Sequence, residues 1–315
     1  MLDPQTAALL ALMAKLKVPP THTLTPVDAR RMYLDRRFYT QPDPPVVAEV
    51  RALATSASVP LRLYKPAGAV PGLLPVLVYF HGGGWTMGDL DTHDVLCRQL
   101  CNGAGVAVLA VDYRVGPEHR FPAAVDDAIG ATRWLRMHAA ALGLDATRVA
   151  VGGDSAGGNL AAVVALALRD AADAQDWAPL AYQLLIYPAT DMRAGADSHT
   201  RNGQGYVLTA DTVAYFRHHY IADPAMWPDW RASPLLAADH TRLPPALVLT
   251  AGYDPLLDEG RQYADALSAA GNRVQCVCFE RQIHGFVTMS RVLDEARTAV
   301  ALCCAVLTEA LGTGS

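Results

Sequence analysis

The chain has no excess of positive charge. Its 26 Lys and Arg stand against 31 Asp and Glu in 315 residues, a formal net charge of −5. With a pI near 6.0 and no run of Lys and Arg, its electrostatics predict no nucleic-acid partner and no membrane-surface or phosphate-binding patch. Long apolar runs are missing too, since no stretch approaches the roughly 18 apolar residues of a spanning helix. The short N-terminal run Ala7–Ala14 follows Asp3 and precedes Lys15 and Lys17, flanks that do not suit a secretory signal. Leu9, Leu10, Leu12, Met13 and Leu16 instead mark one side of an amphipathic helix. A soluble, cytoplasmic protein is the expectation.

Cysteine is scarce for a disulfide scaffold: there are six. Cys97 and Cys101 are spaced i,i+4 on an expected helix, Cys303 and Cys304 are adjacent on another, and Cys276 and Cys278 share one face of an expected strand. None of these pairs has a companion at zinc-site spacing, so buried free thiols are expected. Internal repeats and low-complexity linkers are also absent. What is present is a hydrophobic share of 51% with 18% charged residues, an ordinary packed globule.

Strand-like runs recur at Val46–Leu53, Pro60–Tyr64, Val76–Phe80, Val106–Val111, Val149–Gly152, Tyr182–Tyr187, Ala246–Thr250 and Arg273–Phe279. The first two carry polar residues across a short turn, as an antiparallel edge pair would. The later runs are almost wholly apolar, the pattern of central parallel strands covered on both faces. Helical patterns lie between them at Thr92–Asn102, Ala123–Ala141, Gly158–Ala171, Leu256–Ala270 and Ser290–Leu311. This alternation predicts an α/β fold with a doubly wound, mainly parallel sheet whose reactive groups gather at the carboxyl ends of the strands.

Two segments break the alternation. Residues 1–45 read as one or two helices ahead of the first strand. Residues 190–240 separate consecutive strands by about fifty positions, where a connection of roughly 2–6 residues is usual, and hold a helical pattern at Ala210–Ile221. A long insert at the carboxyl edge of a sheet predicts a lid or cap. The expected division is therefore residues 1–45 as the N-terminal part of a helical cap, 46–189 and 241–315 as the catalytic domain, and 190–240 as the cap insertion.

Gly153-Asp154-Ser155-Ala156-Gly157 is a G-x-S-x-G sequence set between the apolar run Val149–Val151 and an alanine-rich helix. That context predicts a nucleophile elbow, a strand-to-helix turn so tight that only glycines fit beside an exposed serine; without it the pattern is weak. His81-Gly82-Gly83-Gly84-Trp85 directly follows the strand Val76–Phe80 and is the rarer signal. Consecutive glycines let backbone N–H groups converge on an oxyanion, with a further donor expected from Ala156, the residue after the nucleophile. A plain glycine turn would not account for its place at the end of a buried strand upstream of the elbow.

Chains with such an elbow run nucleophile, acid, base. After Ser155 the histidines are His199, His218, His219, His240 and His284. The first three lie in the expected cap and His240 precedes a strand, which leaves His284, on the loop after the last strand. The acid is expected after the preceding strand, at Asp254, where it would hold the imidazole tautomer. Asp254 also precedes Pro255, as a helix N-cap would, so Asp258 and Glu259 stay open as alternative acids.

With these motifs in view the sequence resembles the hormone-sensitive-lipase family of esterases, the HGGG branch of the α/β-hydrolases, from about Pro75 to the C-terminus. Beyond HGGGW and GDSAGG the likeness includes Asp112–His119 (DYRVGPEH), Phe121–Ala124, Asp254–Gly260 and His284–Phe286, with Val115-Gly116 where Leu-Ala is usual. The resemblance implies a Ser155–Asp254–His284 triad, oxyanion donors on the backbone of Gly83, Gly84 and Ala156, and a cap from residues 1–45 and 190–240. It implies short- to medium-chain soluble esters as substrates and no metal or organic cofactor, and it permits a homodimer. Asp112, Arg114 and Glu118 are expected to form a buried ion-pair brace beneath the oxyanion loop, with His81 a structural hydrogen-bonder. Trp85, Trp227 and Trp230 either wall the substrate pocket or pack in the core. Other readings are amide or lactone hydrolysis by the same triad, which an ester–amide panel separates; a receptor without turnover, which serine labelling by a fluorophosphonate excludes; and a lipase acting on insoluble fat.

Overall fold

The computed structural model of the chain describes residues 1–68, 72–175 and 178–313. Eight strands form one sheet in the order β1-β2-β4-β3-β5-β6-β7-β8. They are β1 (Glu49–Ala54), β2 (Pro60–Lys65), β3 (Leu74–Phe80), β4 (Ala107–Val111), β5 (Leu144–Asp154), β6 (Tyr182–Ile186), β7 (Ala246–Tyr253) and β8 (Val274–Ile283). The β1–β2 and β2–β4 pairs are antiparallel and the rest parallel. Strand and helix alternate from β3 onward, as expected for a right-handed parallel sheet.

The helices are α1 (Pro4–Lys15), α2 (Pro26–Thr40), α3 (Asp94–Ala104), α4 (Ala123–Leu142), α5 (Ala156–Gln175), α6 (Ser198–Arg201), α7 (Ala210–Tyr220), α8 (Leu257–Ala269) and α9 (Asp294–Leu311). Central strands divide their side chains between two cores, because successive residues point to opposite faces. Val76, Val78 and Phe80 of β3 join the core of α4, α5 and α8. Leu77 and Tyr79 join that of α3 and α9. Burial on both faces explains why these strands read as unbroken apolar runs.

Residues 1–45 supply α1 and α2, capped by Asp3 and Thr25 with proline in the first turn. Residues 190–240 supply α6 and α7. The two segments meet where Thr212 Oγ1 lies 3.5 Å from His22 Nδ1. All six cysteines are free. Four are buried, as expected, but Cys276 is exposed and Cys278 half-buried, because β8 is the edge strand of the sheet. Among the described residues no helix is long and apolar enough to cross a membrane.

Candidate active site

Strand register brings the motifs together. Phe80 of β3 pairs with Gly153 of β5, so the loop beginning at His81 lies beside the turn at Ser155. Ser155 N donates to Ile186 O at 2.8 Å, and its φ of +57° is the left-handed backbone of a sharp elbow. Gly157 is required there: a Cβ would lie 1.9 Å from the Phe80 carbonyl oxygen. On the far side, a register shift after Ala251 pairs Tyr253 of β7 with Ile283 of β8. The next residues along these strands are Asp254 and His284.

The three side chains meet. His284 Nδ1 lies 2.6 Å from Asp254 Oδ2, and His284 Nε2 lies 2.9 Å from Ser155 Oγ. Asp254 is fully buried and Ser155 half-buried. Asp254 Oδ1 also accepts from Leu256 N at 2.8 Å, so the aspartate both braces the turn into α8 and faces the imidazole. Asp254 is not the N-cap of α8, which is Leu256; its carboxylate serves the turn before the helix instead. Asp258 instead accepts from Ser198 N and Arg201, and Glu259 turns toward His199; neither reaches His284.

Gly83 and Gly84 follow β3 with φ of +127° and +60°. Among the described residues, neither amide donates to a backbone carbonyl or a side chain. Ala156 opens α5 next to Ser155. A Cβ on Gly84 would lie 2.2 Å from the ring of Phe216, so α7 packs directly onto the glycine loop. His81 is a structural hydrogen-bonder as expected: Nδ1 donates to Gly82 O at 3.0 Å, while its ring stacks on Tyr113 with 4.2 Å between centroids.

A cleft opens at Ser155, walled by Gly84, Trp85, Phe216, His199 and Glu259 among others. Trp85 stacks on Tyr220 at 4.7 Å and lines the cleft. Trp227 and Trp230 do not line it; they pack against the core instead.

The expected brace beneath the oxyanion loop is corrected. Arg114 is forked onto Asp127 at 2.8 to 3.1 Å, Glu118 pairs with Arg30 of α2 at the surface, and Asp112 stands apart, 3.9 Å from His81 Nε2. The three residues do not form one cluster, because Arg114 and Glu118 turn outward from the loop that follows β4. Burial, then the nearby Asp89, raises Asp112 to about 6.

Sequence reasoning missed three features. Tyr187, at φ +34°, lays its ring 4.7 Å from that of His284, and its buried hydroxyl has no partner among the described residues. His199 Nε2 meets Glu259 Oε2 at 2.6 Å in the cleft wall, and burial raises the Glu259 carboxyl above its ordinary range. His93 and Asp154 form a third histidine–carboxylate pair behind the glycine loop. Asp154 and Glu259 lay in motifs; an isolated histidine carries no such signal.

Comparison with known proteins agrees with this fold. Residues 77–288 match the family described as alpha/beta hydrolase fold. The chain is 41% identical to an ethyl acetate hydrolase of Pseudomonas putida, over 94% of this chain and 95% of that protein. It is 44% identical to the carboxylic ester hydrolase LipN of Mycobacterium tuberculosis, over 83% and 70% respectively. Among solved structures, an ester-hydrolase from the metagenome of Lake Arreo, complexed with a bipyridine phosphonate derivative, superposes with a TM-score of 0.94. It is 44% identical, with 99% of this chain and 100% of that chain covered.

Proposed function

This chain belongs to the alpha/beta hydrolase fold family, and within it to the carboxylesterases that resemble hormone-sensitive lipase; from that premise we propose that it cleaves short- to medium-chain soluble carboxylic esters by a two-step acyl transfer at Ser155. One observation carries the reading: the continuous hydrogen-bonded line from Asp254 through His284 to Ser155, at 2.6 and 2.9 Å. An ionised carboxylate on Nδ1 keeps a proton there and leaves the Nε2 lone pair for the serine hydroxyl.

His284 takes the Ser155 proton as Oγ attacks the ester carbonyl, and the electron pair of the C=O bond moves onto oxygen. The amides of Gly83, Gly84 and Ala156 stabilise that oxyanion. The tetrahedral species collapses, the C–O bond to the alcohol breaks, and the alcohol leaves with the proton from His284. Water, deprotonated by the same imidazole, then releases the acid and restores Ser155. The segments 1–45 and 190–240 act as the cap over this cleft, supported by the seat of Phe216 on Gly84, and Trp85 borders the substrate. Ser155→Ala lowers p-nitrophenyl butyrate turnover by about 10⁵- to 10⁶-fold. Turnover within tenfold of the parent would refute the assignment. An acyl-length series run beside it, with rates falling beyond about eight carbons, tests the chain-length range.

A further inference from the structure

Directly behind the glycine loop, Asp154 is only 2% exposed. Its Oδ1 accepts from the Tyr79 hydroxyl at 2.8 Å and the Gly82 amide at 2.9 Å, and His93 Nε2 lies 3.1 Å from the same oxygen. One carboxylate thus ties the residue before the nucleophile to β3, to the start of the glycine loop and to the entry of α3. His93 is itself 2% exposed.

The protons on His93 follow from its neighbours. Nδ1 lies 2.9 Å from Thr92 Oγ1. That hydroxyl has a single proton and stands 2.8 Å from the Asp89 carbonyl oxygen, a distance at which two oxygens attract only if they share a proton. It also accepts from Asp89 N at 2.9 Å. With its proton given to the carbonyl, Thr92 can only accept from His93, so Nδ1 carries a proton. Nε2 faces a carboxylate and must carry one as well. The Gly82 amide also reaches Nε2, at 3.3 Å, as the longer branch of a bond whose shorter branch, 2.9 Å, goes to Asp154; the carboxylate is the group that fixes the Nε2 proton.

From this proton bookkeeping we propose that His93 is a buried imidazolium whose fixed charge balances Asp154 and holds the Gly82–Gly84 loop against the nucleophile elbow, making it a positioning residue for ester hydrolysis. The inference rests on the triad reading above. An unbalanced carboxylate one residue from Ser155 would oppose every oxyanion formed at the glycine loop, and the imidazolium removes that opposition. Tyr33, Tyr79 and His81 surround His93, with ring centroids 6.2, 6.3 and 5.7 Å from it. Burial first, and then the His93 charge, push His81 down to about 4, which leaves His81 neutral. Burial alone would raise Asp154, but His93 and the Tyr79 hydroxyl more than offset it and hold the carboxyl below its ordinary range.

Two measurements on the full chain test the proposal. In ¹⁵N-histidine spectra, the His93 imidazole should be doubly protonated at pH 7, and Thr92→Val, which removes the Nδ1 acceptor, should shift that signal. A neutral His93 tautomer at pH 7 overturns the assignment, whether or not any His93 variant folds. In kinetics, His93→Gln should lower kcat on p-nitrophenyl butyrate about tenfold to hundredfold with KM changed less than about threefold, and should weaken a trifluoromethyl ketone inhibitor in parallel. Adding Asp154→Asn should recover at least about threefold of that loss, because a neutral carboxamide no longer opposes the oxyanion. A double variant slower than His93→Gln alone would reduce His93 to a structural part and overturn the charge-balancing role. Unchanged turnover in Ser155→Ala would instead sink the triad reading and leave the spectra untouched.

Discussion

The regions in front of and behind Ser155 both place a histidine against a carboxylate. In front, between the ends of β7 and β8, His284 offers one nitrogen to Asp254 and the other to the serine hydroxyl. Behind, under the glycine loop, both nitrogens of His93 are bound to the protein framework, at Thr92 and Asp154. A third pair in the cleft wall, His199–Glu259, has the same 2.6 Å separation as His284–Asp254. Distance to a carboxylate therefore does not identify a base. What sets His284 apart is its second nitrogen, 2.9 Å from the Ser155 hydroxyl, the placement that the proposed base requires.

The largest effect expected from breaking the front pair is that of Asp254→Asn. The Leu256 amide, 2.8 Å from Asp254 Oδ1, would keep the carboxamide oxygen on its own side, leaving the NH₂ group to face His284 Nδ1. That nitrogen must then accept, the imidazole proton moves to Nε2, and the base is lost. Turnover should fall about 10⁴-fold with the fold intact by circular dichroism. A loss below tenfold would show that Asp254 serves only as the turn cap.

Next in size is Gly84→Ala, which tests how α7 meets the loop. The residue sits at φ +60°, and the new methyl would reach within 2.2 Å of the Phe216 ring, so the loop or α7 must shift. Turnover should drop about 100-fold. Adding Phe216→Ala removes the collision but not the backbone strain, and should recover about tenfold. Equal rates in the single and double variants would mean that α7 does not press on the loop.

His199→Asn sharpens the contrast from the other side. His199 lines the cleft with Ser155 but has no hydrogen bond to it among the described residues, so kcat should fall by less than about tenfold. The main expected change is in stability, because Glu259, which accepts from Thr190 N and Asp191 N, would lose the imidazole 2.6 Å from its Oε2. A loss comparable to that of Asp254→Asn would make the wall pair part of the chemistry.

How much of this was legible depends on whether a feature is local in sequence. The sheet was readable because each central strand is apolar on both faces, and the elbow and glycine loop because tight turns admit few residues. Strand ends were not: β5 runs from Leu144, five residues before the expected start at Val149, because Leu144 pairs with Leu74 across an irregularity that only the partner strand reveals. Asp254 and His284 were found by chain order and by position after a strand. His93, His199 and Tyr187 owe their roles to neighbours 61, 60 and 97 positions away: Asp154, Glu259 and His284. The misplaced brace has the same origin. Asp112, Arg114 and Glu118 are close in sequence, but Arg114 turns to Asp127 on α4 and Glu118 to Arg30 on α2.

That last pairing gives the smallest expected effect, and it concerns the join between α2 and the loop that follows β4. Arg30 donates to the carbonyls of Thr86 and Gly116 at 2.8 and 2.7 Å and also to Glu118. Its hydrogen bonds are the main reason the Glu118 carboxyl is lowered to about 2. A carboxyl held below its unfolded value adds stability that is present above the unfolded pKa and disappears as pH falls through about 2. Glu118 is 51% exposed, however, so solvent and salt screen the pair, and Glu118→Gln should cost less than about 1 kcal/mol at neutral pH. The two carbonyl bonds of Arg30 remain, so activity should be unchanged. Urea titrations of parent and variant should separate at pH 7 in low salt and draw together either in 1 M salt or as pH falls toward 2. A larger gap that survives in salt would mean that this surface contact does more than a screened ion pair to hold α2 against the loop after β4.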